Sequence, residues 1–327
     1  MIDFASALWN QRPEVRRAKD RLVQMHKIVN RPVDLNLGQW VQLYAFCLEF
    51  APDLIIELGR GWGNSTCVFT EAANRLGTGR VVSVGNDAER TWILQTAPRL
   101  REVVPAQWFD ALEVVQQDIL NTDFSRVLAK GTRVFFYWDA HGHELGRYLL
   151  AEVLPMLAPR AHIVVVHDIN DSRYCAPEPN YVSDNGPPQT WLGPLVGPFD
   201  ELIPLYDFLS RNRIAFDTPN HSLHKRLLSD AARRSELQQA WGEDFPGPSP
   251  LEVGSWIYFD LHTREGRDRV VFPPSASGGS DVAVPGEMES LRQQVVELKA
   301  RLTRLERVLG PVRNVRNGLR RLVGRAF

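Results

Sequence analysis

The middle of the chain alternates between short apolar runs and longer segments with helical spacing. Runs without polar alternation, as in 134–138 and 163–166, are typical of strands that are covered on both faces. Strands that alternate with helices form a parallel sheet, whose ligands bind at the carboxyl ends of the strands. The sequence therefore predicts an α/β fold, with strands at 54–58, 80–84, 113–117, 133–138 and 162–167.

The segments on either side of this alternation predict further elements. Residues from about 10 to 51 have helical spacing that ends before Pro52, so residues 1–51 are expected to form a helical cap before a domain at 52–272. The proline-rich and aromatic segment 169–198 is long for a connection and predicts a substrate loop, although its aromatic side chains could equally pack the loop onto the body. Beyond it we predict a helix at 199–211, a strand at 214–216, a helical insertion at 221–241 and a strand at 256–261.

The last 55 or so residues have a different pattern, which indicates self-association. Residues 273–286 are rich in Ser, Gly and Pro and predict a flexible linker. Residues 287–310 place apolar side chains three and four apart, which predicts a short coiled coil and a homo-oligomer; a single amphipathic helix folded back on the body is the alternative. The arginine-rich amphipathic tail at 311–327 could contact a membrane surface or a partner enzyme weakly, or simply be solvated.

Composition narrows the range of partners. Lysine and arginine total 38 and aspartate and glutamate total 39, so no global field draws the chain to nucleic acid, and none is expected as a partner. Three widely spaced cysteines form neither a metal motif nor a disulfide framework. The first residues lack a secretory signal, and no apolar run approaches the roughly 20 residues needed to cross a bilayer. A cytoplasmic location is expected, at the inner membrane face if the tail binds there.

The most informative motif runs from Glu57 to Ser65, where a strand meets a turn with glycines at every second position. Glycine lets backbone amides approach a ligand, and the following helix points its free N–H groups to the same place. A dinucleotide fingerprint would have the spacing G-x-G-x-x-G instead. A strand–turn–helix corner without a ligand is the alternative.

This motif resembles motif I of the class I S-adenosyl-L-methionine (SAM) dependent methyltransferases. The resemblance implies a Rossmann-like, doubly wound, seven-stranded and mostly parallel sheet, with an antiparallel pair as its sixth and seventh strands. It also implies that the motif holds the methionine end of SAM, through Glu57, Gly59, Gly61, Gly63 and Ser65.

The other cofactor contacts follow from the same resemblance. The family has an acid after the second strand that binds the ribose, but that position here holds Gly85. Asp87 could reach the ribose from two residues further on, with Asn86 as an alternative; Asp87 could also simply belong to a surface turn. Asp118, at the end of the third strand, is expected to contact the adenine, to cap a helix, or both.

Carboxylates and imidazoles follow the fourth and fifth strands. Asp139, His141 and His143 follow the fourth strand, and His167 and Asp168 follow the fifth. His141 or His143 suits a general base that removes a proton from an alcohol, with Asp139 as a further catalytic candidate.

Alternatively, Asp139, His167 and Asp168 could bind a divalent metal such as Mg or Mn that orients a diol. The pattern resembles that of metal-dependent O-methyltransferases, including those that act on sugars, with a His-Asp pair replacing two oxygen ligands. If no metal binds, Asp139 is expected to contact the ammonium group of SAM and Asp168 to cap a turn.

The sequence thus predicts a SAM-dependent O-methyltransferase whose acceptor is a hydroxylated small molecule, such as a sugar, a glycosylated natural product or a polysaccharide precursor. A nucleotide-sugar oxidoreductase that uses NAD(P) is one alternative, disfavoured by the glycine spacing and by the lack of a Tyr-x-x-x-Lys pair after the fourth strand. A non-catalytic assembly subunit with a degenerate SAM fold is another, motivated by Gly85 and the heptads.

Overall fold

The computed structural model describes residues 2–31, 34–77, 79–86, 91–167, 202–218, 230–241, 256–263 and 269–274. All of these belong to one compact unit, Met1–Ser275, and Ala276–Phe327 form a second unit. The predicted coiled coil (287–310), the basic tail (311–327), the loop at 169–198 and nearly all of the linker (273–286) lie outside the described residues.

A seven-stranded sheet forms the centre of the first unit, in the order β3-β2-β1-β4-β5-β7-β6. Strands β1 to β5 are parallel, and β7 is antiparallel to both of its neighbours. This confirms the predicted Rossmann-like fold, including the antiparallel pair at its end. The strands are β1 (Leu54–Leu58), β2 (Arg80–Val84), β3 (Leu112–Val115), β4 (Arg133–Trp138), β5 (Ala161–Val166), β6 (Ile214–Asp217) and β7 (Ile257–Thr263).

Helices pack on both faces of this sheet. Alternate residues of each strand face opposite sides, so Ile55 and Phe135 enter one apolar cluster while Ile56 and Phe136 enter the other. The described α-helices are α1 (Phe4–Asn10), α2 (Arg12–Val29), α3 (Leu37–Phe50), α4 (Asn64–Leu76), α5 (Ala97–Leu100), α6 (Phe124–Leu128), α7 (His143–Tyr148), α8 (Leu154–Leu157), α9 (Leu202–Arg211) and α10 (Ala231–Trp241). A π-helical turn precedes α5 (Trp92–Thr96) and α8 (Leu149–Val153), and short 3-10 segments lie at Ala106–Ala111 and Ile119–Asn121.

The helices predicted as a cap share a core with the sheet instead of standing apart from it. Thirteen of the 14 residues of α3 are buried, which makes this helix an interior layer. Its Phe46 ring lies 5.8 Å from Phe135 of β4, and Phe4 of α1 lies 5.7 Å from Trp256 beside β7. The structure therefore extends the sheet's core across the predicted boundary at residue 51. No helix in the described ranges combines the length and apolar character needed to span a bilayer.

The chain changes the side of the sheet to which it adds strands between β1 and β4, which are parallel neighbours. From β1 the chain continues outward to β2 and β3, and it then returns to place β4 and β5 on the other side. Such a switch point leaves a crevice at the carboxyl ends of the two central strands. The glycine motif and Asp139 follow these two strands, so the topology brings them to one place.

Candidate functional site

Three glycines form the turn after β1, and each has a positive φ: 93° at Gly59, 49° at Gly61 and 92° at Gly63. A Cβ atom on Gly59 would overlap the carbonyl oxygen of Asp139, and one on Gly63 would overlap the ring of Trp92. A Cβ atom on Gly61 would meet nothing within 4 Å. Two of the glycines are therefore required by packing, and the exposed middle one leaves an open side where a ligand can approach.

The structure places Glu57 and Ser65 in contact with each other beneath the glycine turn. Glu57 is 0% exposed, and its carboxylate accepts hydrogen bonds from the hydroxyls of Ser65 and of Thr66, the latter at 2.8 Å. Burial raises the pKa of Glu57, although these hydroxyls and that of Ser83 oppose the shift. These bonds hold the first turn of α4 beneath the glycine turn, and the cofactor contacts of Glu57 and Ser65 stay predictions.

Arg60, between the first two glycines, also points inward and is 2% exposed. Its guanidinium donates to the carbonyl oxygens of Ser83 at 2.8 Å and Gly85 at 3.2 Å, and to the side-chain oxygen of Gln116. It thus ties the turn to the ends of β2 and β3. This residue was not predicted from the sequence; the signal available there was a single cation within a glycine turn.

Arg60 also gives a physical reason for the glycine in the family's acidic position. A Cβ atom on Gly85 would lie 3.2 Å from the backbone nitrogen of Arg60 and 3.4 Å from its Cβ, which is tight. A glycine at this position therefore relieves crowding against the first turn.

The remaining predicted adenosine contacts are only partly described. Asn86 is exposed beside Gly85, whereas Asp87 lies outside the described residues. Asp118 is exposed, and its Oδ1 accepts from the backbone N–H of Leu120 at 2.9 Å. The capping role of Asp118 is confirmed, while its contact with adenine stays a prediction.

The ends of β4 and β5 bring Asp139 and His167 together. The backbone N–H of Asp139 donates to the carbonyl of Leu58 at 2.9 Å, and that of His167 donates to the carbonyl of Trp138 at 2.9 Å. Nδ1 of His167 lies 3.2 Å from Oδ1 of Asp139; the His167 side chain is 3% exposed and that of Asp139 is 21% exposed. A buried imidazole thus supports a partly accessible carboxylate next to Gly59.

The structure describes the other predicted catalytic and metal-binding residues only in part. His141 is half-buried and follows Asp139 by two residues, and Gly142, with a φ of 126°, comes just before His143 at the start of α7. The His143 side chain and the whole of Asp168 lie outside the described residues. Among the described residues, no group of three His, Cys, Asp or Glu side chains is placed to hold a metal ion. The predicted metal site is thus represented only by Asp139 and His167, in contact with each other.

The connection between α2 and α3 is attached to the glycine turn. The guanidinium carbon of Arg31 lies 3.7 Å from the ring centroid of Trp62, which stands between the last two glycines. The Asn64 side chain, at the start of α4, donates to the carbonyl of Arg31 at 3.2 Å and accepts from Nε1 of Trp40 at 3.1 Å. These contacts join residues far apart in sequence and were not predicted.

Comparisons with known proteins give likenesses of fold. No family model matches the chain, and no curated protein matches it. A solved structure of cmcI with SAH is 17% identical, with a TM-score of 0.31 over 41% of this chain and 61% of that one. The SAH-bound methyltransferase PaMTH1 of Podospora anserina is 17% identical (TM-score 0.41; 61% of this chain, 82% of that one). TomG, an O-methyltransferase of Streptomyces achromogenes involved in tomaymycin synthesis and solved with SAM, is 18% identical (TM-score 0.38; 62% and 81%).

The chain spans only about three fifths of the length of the cmcI structure that it matches, 61%. Likenesses at these identities and TM-scores do not decide an activity.

Proposed function

We propose that this chain is a SAM-dependent O-methyltransferase that methylates a hydroxyl group of a small molecule. The observation that carries the proposal is the glycine turn, whose open side at Gly61 lies at the switch point of the sheet. The carboxylate of Asp139, supported by His167, stands at the end of the neighbouring strand. A donor held at the turn and an acceptor held beside Asp139 would meet in one crevice.

The turn leaves room for the cofactor. The open side of Gly61 would accommodate the methionine end near the first turn of α4, which has no side-chain cap on its N–H groups. Asn86 or Asp87 would bind the ribose, and Asp118 would lie near the adenine. When bound, SAM supplies an electrophilic methyl group on its sulfonium.

The polar residues after β4 and β5 supply the remaining functions. In the tautomer with a proton on Nδ1, His167 donates to Asp139 and would hold the orientation of this carboxylate. His141, half-buried, would accept the proton of the acceptor hydroxyl, whose oxygen gains the methyl group while the methyl–sulfur bond breaks and SAH leaves. Because methyl transfer is an in-line displacement, alignment of donor and acceptor contributes much of the rate.

A sugar, a glycosylated natural product or a polysaccharide precursor is our proposal for the acceptor. The predicted substrate loop contains aromatic and amide side chains that suit a carbohydrate, among them Tyr174, Tyr181 and Asn185. A screen of hydroxylated acceptors with isotopically labelled SAM tests this class.

A divalent metal at the same edge is the alternative to the hydrogen bond between His167 and Asp139. Asp139 and His167, whose Oδ1 and Nδ1 lie 3.2 Å apart, would then both be ligands of the ion, with Nδ1 unprotonated and Asp168 as the third ligand. Titration of Mn²⁺ followed by electron paramagnetic resonance, in wild type and in Asp139→Asn, measures binding directly. Equal binding by both proteins would contradict the site.

The proposed function is tested by binding and turnover together. We expect calorimetry to detect binding of SAH and SAM to the full chain. His141→Gln should bind SAH normally but lose turnover, and Asp123→Asn, an exposed helix cap, serves as the matched control. For Asp139→Asn, lost SAH affinity would assign the carboxylate to the ammonium group of the cofactor, while lost turnover alone would assign it to the reaction.

Three results would count against the proposal. Absence of SAH and SAM binding would remove it, and binding of NADH instead would favour the oxidoreductase. Cofactor binding without turnover on any acceptor, with tight pairing to another enzyme, would favour the assembly subunit.

A further inference from the structure

A second cleft lies along α4, away from the glycine turn. It is formed by α2, α3, α4 and the segment just before β3, and its volume of about 380 Å³ is within the range of small-molecule sites. Glu71, which lines the cleft, follows Asn64 at the start of α4 by seven residues, or about 10 Å along the helix axis. The cleft is therefore separate from the crevice at the carboxyl ends of the strands.

The most buried polar groups of the cleft are a hydroxyl and a carboxylate. Tyr44 of α3 is 1% exposed, and within the described ranges its hydroxyl makes no hydrogen bond. Burial, and next the negative charge of Glu71, raise the pKa of Tyr44, so this hydroxyl keeps its proton and can donate it to a ligand in a hydrogen bond. Glu71 accepts from Nε1 of Trp108 at 2.8 Å through its Oε2, while its Oε1 lies 3.9 Å from Nε of Arg21, beyond hydrogen-bonding distance.

These two groups favour a ligand that carries hydroxyls. A hydroxylated ligand would accept from Tyr44 and donate to Glu71, because a hydroxyl group is both donor and acceptor. A buried hydroxyl without a partner is costly, and the bound ligand would remove that cost.

The rim of the cleft carries a surplus of positive charge. The arginines that line it are Arg17, Arg21 and Arg75, and the glutamates are Glu14 and Glu71. Glu14 binds two of these arginines, Arg75 at 2.6 Å and Arg17 on the other carboxylate oxygen. The Arg21 side chain is 41% exposed and, in the part of the chain that the structure describes, makes no hydrogen bond. Its guanidinium is therefore available to a carboxylate or a phosphate, which it would bind through paired, charge-assisted hydrogen bonds.

We propose that this cleft is a second small-molecule site, which binds a hydroxylated anion. The hydroxyl groups of the ligand contact Tyr44 and Glu71, and its anionic group pairs with Arg21. Sugar acids and sugar phosphates share this chemistry. The site goes beyond the proposed methyl transfer and does not depend on it, because Tyr44, Glu71 and Arg21 lie within helices, away from the strand ends.

Four probes separate the two halves of such a ligand in the full-length protein. D-glucuronate and glucose 6-phosphate carry hydroxyls and an anionic group, whereas D-glucose carries only the hydroxyls and inorganic phosphate only the anionic group. Calorimetry would measure each probe on wild type, on Tyr44→Phe and on Arg21→Gln. The matched controls are Tyr206→Phe on α9 and Arg126→Gln on α6, which are exposed and lie outside the cleft.

We expect the two anionic sugars to bind wild type about tenfold more tightly than D-glucose or inorganic phosphate, because each of the latter offers only one of the two groups. Tyr44→Phe should weaken both anionic sugars about fivefold, and Arg21→Gln should weaken them about tenfold while leaving D-glucose unchanged. Both control variants should resemble wild type. Because the Tyr44 hydroxyl has no partner in the described ranges, Tyr44→Phe should also match wild type in urea unfolding, so that the loss is one of binding.

Three results would overturn the inference. They are a wild type that binds neither anionic sugar, binding that both cleft variants leave unchanged, and inorganic phosphate that binds as tightly as the anionic sugars. None of these outcomes involves SAH, so the proposed function is tested separately.

Discussion

At the scale of single residues, three glycines in one motif are needed for three different reasons. Gly59 makes room for the backbone of Asp139, Gly63 makes room for the Trp92 ring, and Gly61 provides an open side. The spacing predicted a turn that approaches a ligand, but it did not distinguish these roles. Only Gly61 therefore offers a substitution that should separate ligand binding from stability.

Gly61→Ala is expected to fold and to lose affinity for SAH. A φ of 49° costs an alanine about 1–2 kcal/mol, while its methyl group would stand in the space left for the ligand. Gly77→Ala is the matched control, because Gly77 has a φ of 73°, equally open surroundings and a place at the far end of α4. Urea unfolding and calorimetry measure the two effects.

Gly59→Ala is the second comparison in this experiment. Its Cβ would overlap backbone that cannot move aside, so the free energy of unfolding should fall further, by about 3 kcal/mol or more. Equal SAH affinity in the Gly61 and Gly77 variants would refute the assignment of the open side to the cofactor.

At the scale of elements, the pairing of α3 with α4 positions the site. The sequence predicted helix from about 10 to 51, and the structure divides this stretch into α2 and α3, with α1 before it. Asn30, with a φ of 53°, ends α2, and Asn36 caps α3 through a reciprocal bond with Gln39. Arg31 lies in the break between these helices, and its carbonyl oxygen accepts from the Asn64 side chain at the start of α4.

Asn64→Ala is expected to lower the free energy of unfolding by about 1–3 kcal/mol, because it leaves the buried Nε1 of Trp40 without its acceptor. Asn64→Asp keeps that acceptor but replaces the donor to the carbonyl of Arg31 with a buried carboxylate oxygen, so it should also lower the stability. Urea unfolding of both variants provides the measurement. A stability of Asn64→Ala equal to that of wild type would mean that this bond does not join the two helices.

At the scale of the whole molecule, the chain divides after Ser275. The proposed catalytic residues all belong to the first unit, and the heptads that predict self-association all belong to the second. The proposed homo-oligomer therefore depends on a segment that holds none of the proposed cofactor contacts, so assembly and cofactor binding should be separable.

A chain that ends at Ser275 should bind SAH with the affinity of the full chain and sediment as a particle with fewer copies of the chain. The reason is that the cofactor residues stay together while the heptad seam is removed. Sedimentation velocity and calorimetry on the two proteins check this. Full-length Leu298→Glu provides a control that disrupts the seam without a deletion, and an unchanged particle size in both would rule out association through the heptads.

Much of the fold was predictable because it depends on local pattern. Apolar runs located β1, β2 and β4 at their observed bounds and β3 and β5 within two residues, since strands covered on both faces need continuous apolar sequence. Topology then placed Asp139 and His167 together, because neighbouring parallel strands end at one edge. The glycine spacing located the turn, since few other residues tolerate its φ values.

The direction in which each polar side chain points was decided only by the tertiary structure. The carboxylate of Glu57 accepts from hydroxyls of α4, and the guanidinium of Arg60 donates to the ends of β2 and β3. Arg31, between α2 and α3, stacks on Trp62. Buried charges must find partners, and those partners lie far away along the chain, where local pattern carries no information. By itself, the sequence determined the sheet, the glycine turn and the residues that follow the strands, because local sterics and apolar burial depend on residues that are neighbours along the chain. Which of those residues face the crevice was settled by long-range packing.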